Sequence, residues 1–135
     1  FSGCGGLSLG LESAGFELTF ANELSPMASE TFAYNLLCEN LDKLSKQGKN
    51  SDKVYWISSQ YDDLKERLRE NPFEYPEPDC GVTDIPDIPS LIKGKLLVGN
   101  IIHLNKLLER RPELLEAVKI VIRIHCLGRL ENSLA

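Results

Sequence analysis

Phe1-Ser2-Gly3-Cys4-Gly5-Gly6-Leu7 opens the chain, and Ser8-Leu9-Gly10-Leu11-Glu12-Ser13-Ala14 follows directly. Three glycines within four residues let the backbone approach a ligand closely, because no Cβ intrudes. Leu7 and Leu11 share one face, so a short amphipathic helix is expected over 7–14. Its first N–H groups then stand behind the glycine turn and favour an anionic group such as a carboxylate. Gly15 stops that helix. Residues 16–21 (FELTFA) read as a strand from their aromatic and β-branched content, and 22–26 as a loop. Ser25 can cap a second helix with Pro26 in its first turn. That helix is expected over 27–37, with Ala28, Phe32 and Leu36 facing inward. Turn, helix, strand, loop, helix is the rhythm of an α/β nucleotide-binding fold. Glu23 stands about 20 residues after Gly3, the spacing at which an acid ending the second strand accepts hydrogen bonds from ribose hydroxyls. Taken alone, a glycine-rich turn and an acid serve many nucleotides, and turn glycines without a ligand are common.

Beyond residue 39 the pattern weakens. Residues 40–53 are polar, with 47–50 as an exposed loop. A short strand is expected over 54–57 and a solvated helix over 62–70. Five prolines lie within 71–89, and such repeated helix-breaking, together with Glu74, Glu77, Asp79, Asp84 and Asp87, argues for an extended surface excursion. Strand character returns at 95–98, with Gly99-Asn100-Ile101 as the turn after it. Helix is expected over 104–111 and again over 112–118 from Pro112, and the alternation of 118–124 (VKIVIRI) suits a strand.

The chain has 135 residues, 42% hydrophobic and 26% charged, which suits one soluble globular domain with a core. Its apolar runs are far too short to span a bilayer, so no membrane partner is expected. Net charge is −5, and Lys and Arg are interspersed with Glu and Asp. A protein that binds DNA unaided usually carries a basic face, so this chain alone is expected to bind DNA poorly. Cys4, Cys38, Cys80 and Cys126 form no C-x-x-C pair, and His103 and His125 complete no ligand set, so no metal is expected. With no charged-then-apolar leader, reduced thiols in a cytoplasmic, bacterial-type protein are the reading. Neighbours on a strand point to opposite faces, so His125 and Cys126 do not pair as base and nucleophile.

The string F-S-G-C-G-G-L-S-L-G-L-E-x-A-G-F, then A-N-E, then P-x-A-x-x-T-F-x-x-N, covers residues 1–35 and resembles the first two motifs of the DNA cytosine-C5 methyltransferases. Nicotinamide enzymes usually show G-x-G-x-x-G instead, whereas Leu7 and Ser8 follow the double glycine here. The resemblance implies a Rossmann-like S-adenosylmethionine-dependent methyltransferase fold, present as one incomplete domain with an insertion at about 41–93. It implies S-adenosyl-L-methionine as cofactor. Phe1 would pack on the adenine, and Gly3, Cys4, Gly5 and Gly6 would lie against the methionine part with Leu7 close by. Glu23 would hold the ribose hydroxyls and Leu24 would cover the other side of the adenine. The family's Gly-Asp-Ile motif is best matched by Gly99-Asn100-Ile101, where the Asn100 side-chain oxygen can accept from the adenine amino group without the charge of an Asp.

In the family a cysteine after a proline attacks C6 of a flipped-out cytosine. None of the seven prolines here is followed by cysteine, and Glu131-Asn132-Ser133 is the nearest approach to the family's Glu-Asn-Val. The resemblance therefore implies a cofactor-binding fragment that is inactive alone. DNA would be met only through the rest of the enzyme, and a complementing chain or self-association would complete the sheet. The competing expectation is a non-catalytic interaction or regulatory domain that inherited the fold.

Overall fold

The computed structural model describes residues 2–18, 20–77, 95–113 and 115–116. After helix α1 (Gly6–Ser13), three strands, β1 (Phe20–Glu23), β2 (Val54–Trp56) and β3 (Lys95–Val98), form a parallel sheet in the order β1-β3-β2. Parallel neighbours need crossover connections. The chain leaves β1 through α2 (Pro26–Leu36) and α3 (Leu41–Lys46) and reaches β2 at the far edge. It continues through α4 (Leu64–Arg67) and a 3-10 turn (Pro72–Glu74), returns as β3 into the middle, and departs as α5 (Ile101–Arg110). Leu96, Leu97 and Val98 are all buried, as a central parallel strand covered on both faces requires.

Period-2 alternation puts Leu96 and Val98 on one face of β3 and Leu97 on the other. Leu96 and Val98 join Ala21, Val54, Phe32, Ala33, Leu37, Leu41, Leu64 and Leu68 in one apolar cluster, so α2, α3 and α4 pack on that face. Phe32 and Leu41 retain no exposed surface. Truncating a buried aromatic of this kind costs about 3–5 kcal/mol, transfer and cavity together.

Several elements depart from the sequence reading. The strand expected at 16–21 begins at Phe20 and ends at Glu23, so Asn22 and Glu23 are strand residues and not loop. Gly15 has φ +85 and the Phe16 N–H donates back to the Leu11 carbonyl at 2.9 Å, so the chain is still closing the helix end there. The four residues of β3 then fix which four of β1 can pair. The second helix forms one residue earlier than expected, with Ser25 Oγ accepting from the Ala28 N–H at 3.4 Å and Pro26 at its start. Its inward positions are Ser29, Phe32 and Ala33, with Leu36 half-buried.

Within the polar stretch 40–53, α3 forms because Asn40 caps it, its Oδ1 accepting from the Lys43 N–H at 2.8 Å, and because Leu41 enters the core. The helix expected to be solvated over 62–70 shortens to α4, and Leu64 and Leu68, four residues apart, are each only 2% exposed. In the proline-rich excursion, Tyr75 is buried while Phe73 lies open to solvent. Residues 78–89 of that stretch lie outside the described residues. So do Phe1, Cys80, the strand expected over 118–124, His125 and Cys126. α5 starts at Ile101, three residues before the position expected for it, and helical backbone resumes at residues 112, 113, 115 and 116. The stretch read as an insertion at about 41–93 supplies α3, β2 and α4, and β2 extends the sheet.

Candidate functional site

β1 and β3 end together. Glu23 pairs with Val98, and the Gly99 N–H donates to the Glu23 carbonyl at 2.9 Å. The glycine loop arrives at the same end from outside the sheet, where the Ser2 N–H donates to the Asn22 carbonyl at 3.0 Å. Since the Glu23 carbonyl faces β3, the carbonyl of its neighbour faces the outer edge of β1, and Ser2 joins there.

The Glu23 side chain locks the junction. It is 8% exposed, and both of its oxygens accept from main chain: Oε2 from the Gly3 N–H at 2.7 Å and Oε1 from the Ser25 N–H at 3.0 Å. A carboxylate offers about four lone-pair positions, so roughly two stay available for the hydroxyls of a ligand. Leu24, half-buried, lies between the two anchored residues.

Within the loop the glycines differ in what they do. Gly5 has φ +92 and forms the N-cap of α1, and a Cβ there would stand 2.6 Å from Leu36 Cδ1 and 3.3 Å from Phe32 Cδ2. Only glycine fits. A Cβ on Gly3 or Gly6 would meet nothing within 4 Å, so open space lies beside bare backbone at both. Cys4 is exposed, as are Gly6 and Leu7 at the start of α1. That helix buries none of its residues.

On the other lip, Asn100 is the N-cap of α5, and its Oδ1 accepts from the Ile102 N–H at 2.9 Å. The turn expected at Gly99-Asn100-Ile101 is thus also a helix start, and Ile101 is the first helical residue. Gly99 packs so closely that a Cβ would come within 3.0 Å of Ile57 Cβ. Asn22, a residue the sequence reading passed over, donates from Nδ2 to the Leu97 carbonyl at 2.9 Å and to the Gly99 carbonyl at 3.2 Å. A polar amide in a strand, directly before the acid, was the available signal.

Hydrogen bonds therefore link Gly3, Glu23 and Gly99, with Leu24, Asn100 and Ile101 adjacent in the chain, while Phe1 is not among the described residues. Resolved pKa shifts lie away from this junction. Tyr75 is pushed up to about 12, first by burial and then by the charge of Glu70. Hydrogen bonds from Lys106 and Arg111 hold Glu77 and Glu113 below the usual carboxylate range. Among the described residues no group of three His, Cys, Asp or Glu side chains is placed to hold a metal ion, and no helix is long and apolar enough to cross a membrane.

A parallel sheet flanked by helices, with a glycine loop bonded to an acid at the strand ends, defines an α/β protein. Residues 1–65 match the family model described as C-5 cytosine-specific DNA methylase. That match covers the N-terminal part, just under half of the 135 residues, and shows what this part of the chain is similar to. No curated protein and no solved structure matches the chain.

Proposed function

We propose that this chain carries the S-adenosylmethionine-binding part of a DNA cytosine-C5 methyltransferase with a Rossmann-like sheet. The observation that carries the reading is the hydrogen bond from the Gly3 N–H to Glu23 Oε2 at 2.7 Å. It ties the glycine loop to the acid, the two features that a nucleoside with an amino-acid tail needs side by side. The residues fit such a group. Glu23 is buried with lone pairs to spare, and the space beside Gly3 and Gly6 would admit the methionine part against bare backbone. Bound there, S-adenosylmethionine supplies an activated methyl group. Glu23 would hold the ribose hydroxyls, Gly99-Asn100-Ile101 would face the adenine edge, and Leu24 and Phe1 would flank the ring.

Cytosine C5 becomes nucleophilic only after thiolate addition at C6, and no Pro-Cys pair occurs in this sequence. The chain by itself is therefore a cofactor-binding unit, and DNA is engaged through other parts of the enzyme. α1 leaves Leu7, Leu9 and Leu11 at 74%, 42% and 43% exposed. That apolar surface supports completion by a complementing chain or by self-association. The proposed setting is the cytoplasm of a bacterial-type cell, without membrane or metal. Titration calorimetry of the chain with S-adenosylmethionine and S-adenosylhomocysteine tests the reading: saturable one-to-one binding is expected, and absence of heat with both ligands refutes it.

A further inference from the structure

Asn22 and Glu23 are neighbours on β1, so their side chains leave the sheet on opposite faces. Glu23 draws in the glycine loop through Gly3. Asn22 acts on the other lip. Its amide donates to two carbonyls of the β3 end, Leu97 at 2.9 Å and Gly99 at 3.2 Å. Its own carbonyl accepts from Ser2 at 3.0 Å. One residue thus grips the loop on its outer side and the Gly99 turn on its inner side, with the acid between them.

A parallel ladder does not need that amide. The ladder bond from the Gly99 N–H to the Glu23 carbonyl is main chain, and an apolar residue at 22 would leave it in place. The amide adds a brace on the Gly99 carbonyl, directly before Asn100. We infer that Asn22 is a positioning residue of the proposed cofactor site: it fixes Gly99-Asn100-Ile101 relative to Glu23 and so sets the selectivity for the purine edge. The inference rests on the S-adenosylmethionine reading. Adenine offers a 6-amino donor, and hypoxanthine offers a carbonyl in its place. A site whose polar groups are held rigidly rejects the analogue that cannot pair with them, and a loosened site rejects it less.

The experiment measures dissociation constants of S-adenosylhomocysteine and its inosine analogue for the full chain. Wild type, Asn22→Leu, Asn22→Ser and Asn22→Gln are compared, with a melting temperature for each. General damage to the fold weakens both ligands alike, whereas loss of the brace narrows the ratio between them. The ratio is expected to fall about fivefold in Asn22→Leu and Asn22→Ser, the worth of one ordinary hydrogen bond. Asn22→Gln, which keeps the amide on a longer stem, is expected to recover part of it. Should Asn22→Leu fail to fold, Asn22→Ser carries the comparison. An unchanged ratio in a folded variant whose wild type binds both ligands overturns the role of Asn22 alone. Wild type that binds neither ligand overturns the cofactor reading, and the positioning role with it.

Discussion

Replacing Glu23 with Ala removes the acceptor for two main-chain N–H groups, those of Gly3 at 2.7 Å and Ser25 at 3.0 Å. Hydrogen bonds to a charged group contribute about 1.5–3 kcal/mol each. The glycine loop and the start of α2 are therefore loosened before any ligand is considered. In the proposed complex the same carboxylate also receives the ribose hydroxyls. Losing that contact alone weakens S-adenosylmethionine by about 1.5–3 kcal/mol, roughly 12- to 160-fold in Kd. Glu23→Asp separates the two effects, because it keeps the charge but is one methylene too short to span Gly3 and Ser25 together. Titration calorimetry reads the ligand, and amide hydrogen exchange at Gly3 and Ser25 reads the brace. Glu23→Ala is expected to bind at least tenfold more weakly and to exchange faster at both amides. Affinity equal to wild type would remove Glu23 from the ligand site, and unchanged exchange would refute the brace itself.

The two glycines at the start of α1 should separate stability from binding: Gly5→Ala meets Leu36 Cδ1 at 2.6 Å with φ +92 and is expected to destabilise by about 1–3 kcal/mol in chemical denaturation. Gly6→Ala meets nothing within 4 Å, so it should fold at least as well as wild type and gain up to about 1 kcal/mol of helix propensity. It should nevertheless bind S-adenosylmethionine more weakly, because the methyl fills space left for the ligand. The Tyr75 hydroxyl is buried without a hydrogen-bond partner among the described residues, and the nearby Trp56 N–H, outside bonding geometry, lowers its pKa only in part. With a folded pKa of about 12 against an ordinary 10.0, its neutral form stabilises the fold below pH 10, and that contribution is lost as pH rises towards 12. Ultraviolet titration should show one late-ionising tyrosine, and Tyr75→Phe should be neutral or stabilising. Finally, the purified chain with labelled methyl donor and mixed-sequence duplex DNA should give background incorporation. Counts abolished by changing Cys80 or Cys126 would reveal a nucleophile outside any Pro-Cys context.

The legible parts of the sequence were those where one local signal decided the matter. Gly3 to Gly6, Ser25-Pro26 and the apolar run Lys95–Val98 each carry their conformation in residue type, through positive φ, side-chain capping or strand propensity. The elements misread were decided by partners distant in sequence. β1 could not be bounded from its own residues, because its register is set by β3, some 75 residues later. α3 was hidden because a helix of six residues with a buried Leu41 shows too little periodicity to stand out from a polar stretch. α4 looked solvated because Asp62, Asp63, Lys65, Glu66 and Arg67 dominate its composition, whereas Leu64 and Leu68 alone decide its packing. The acid was found by its spacing from the glycines. Asn22 was not, because its two acceptors are carbonyls, and a carbonyl leaves no trace in the sequence.

The junction is built differently from the rest of the molecule. α2, α3 and α4 are held by apolar contact with the sheet, through Phe32, Leu41 and Leu64. α1 buries nothing, and an eight-residue helix is too short to be stable on its own propensity. What places it is the close packing of Gly5 against Leu36 and Phe32, together with the bonds of Ser2 and Gly3 to Asn22 and Glu23. The loop is therefore anchored by directional bonds to two adjacent residues of one strand. Substitutions in the apolar cluster should lower the stability of the whole domain. Substitutions at Asn22 and Glu23 should act first on the loop and on the Gly99 turn, and should reach the ligand before they reach the core.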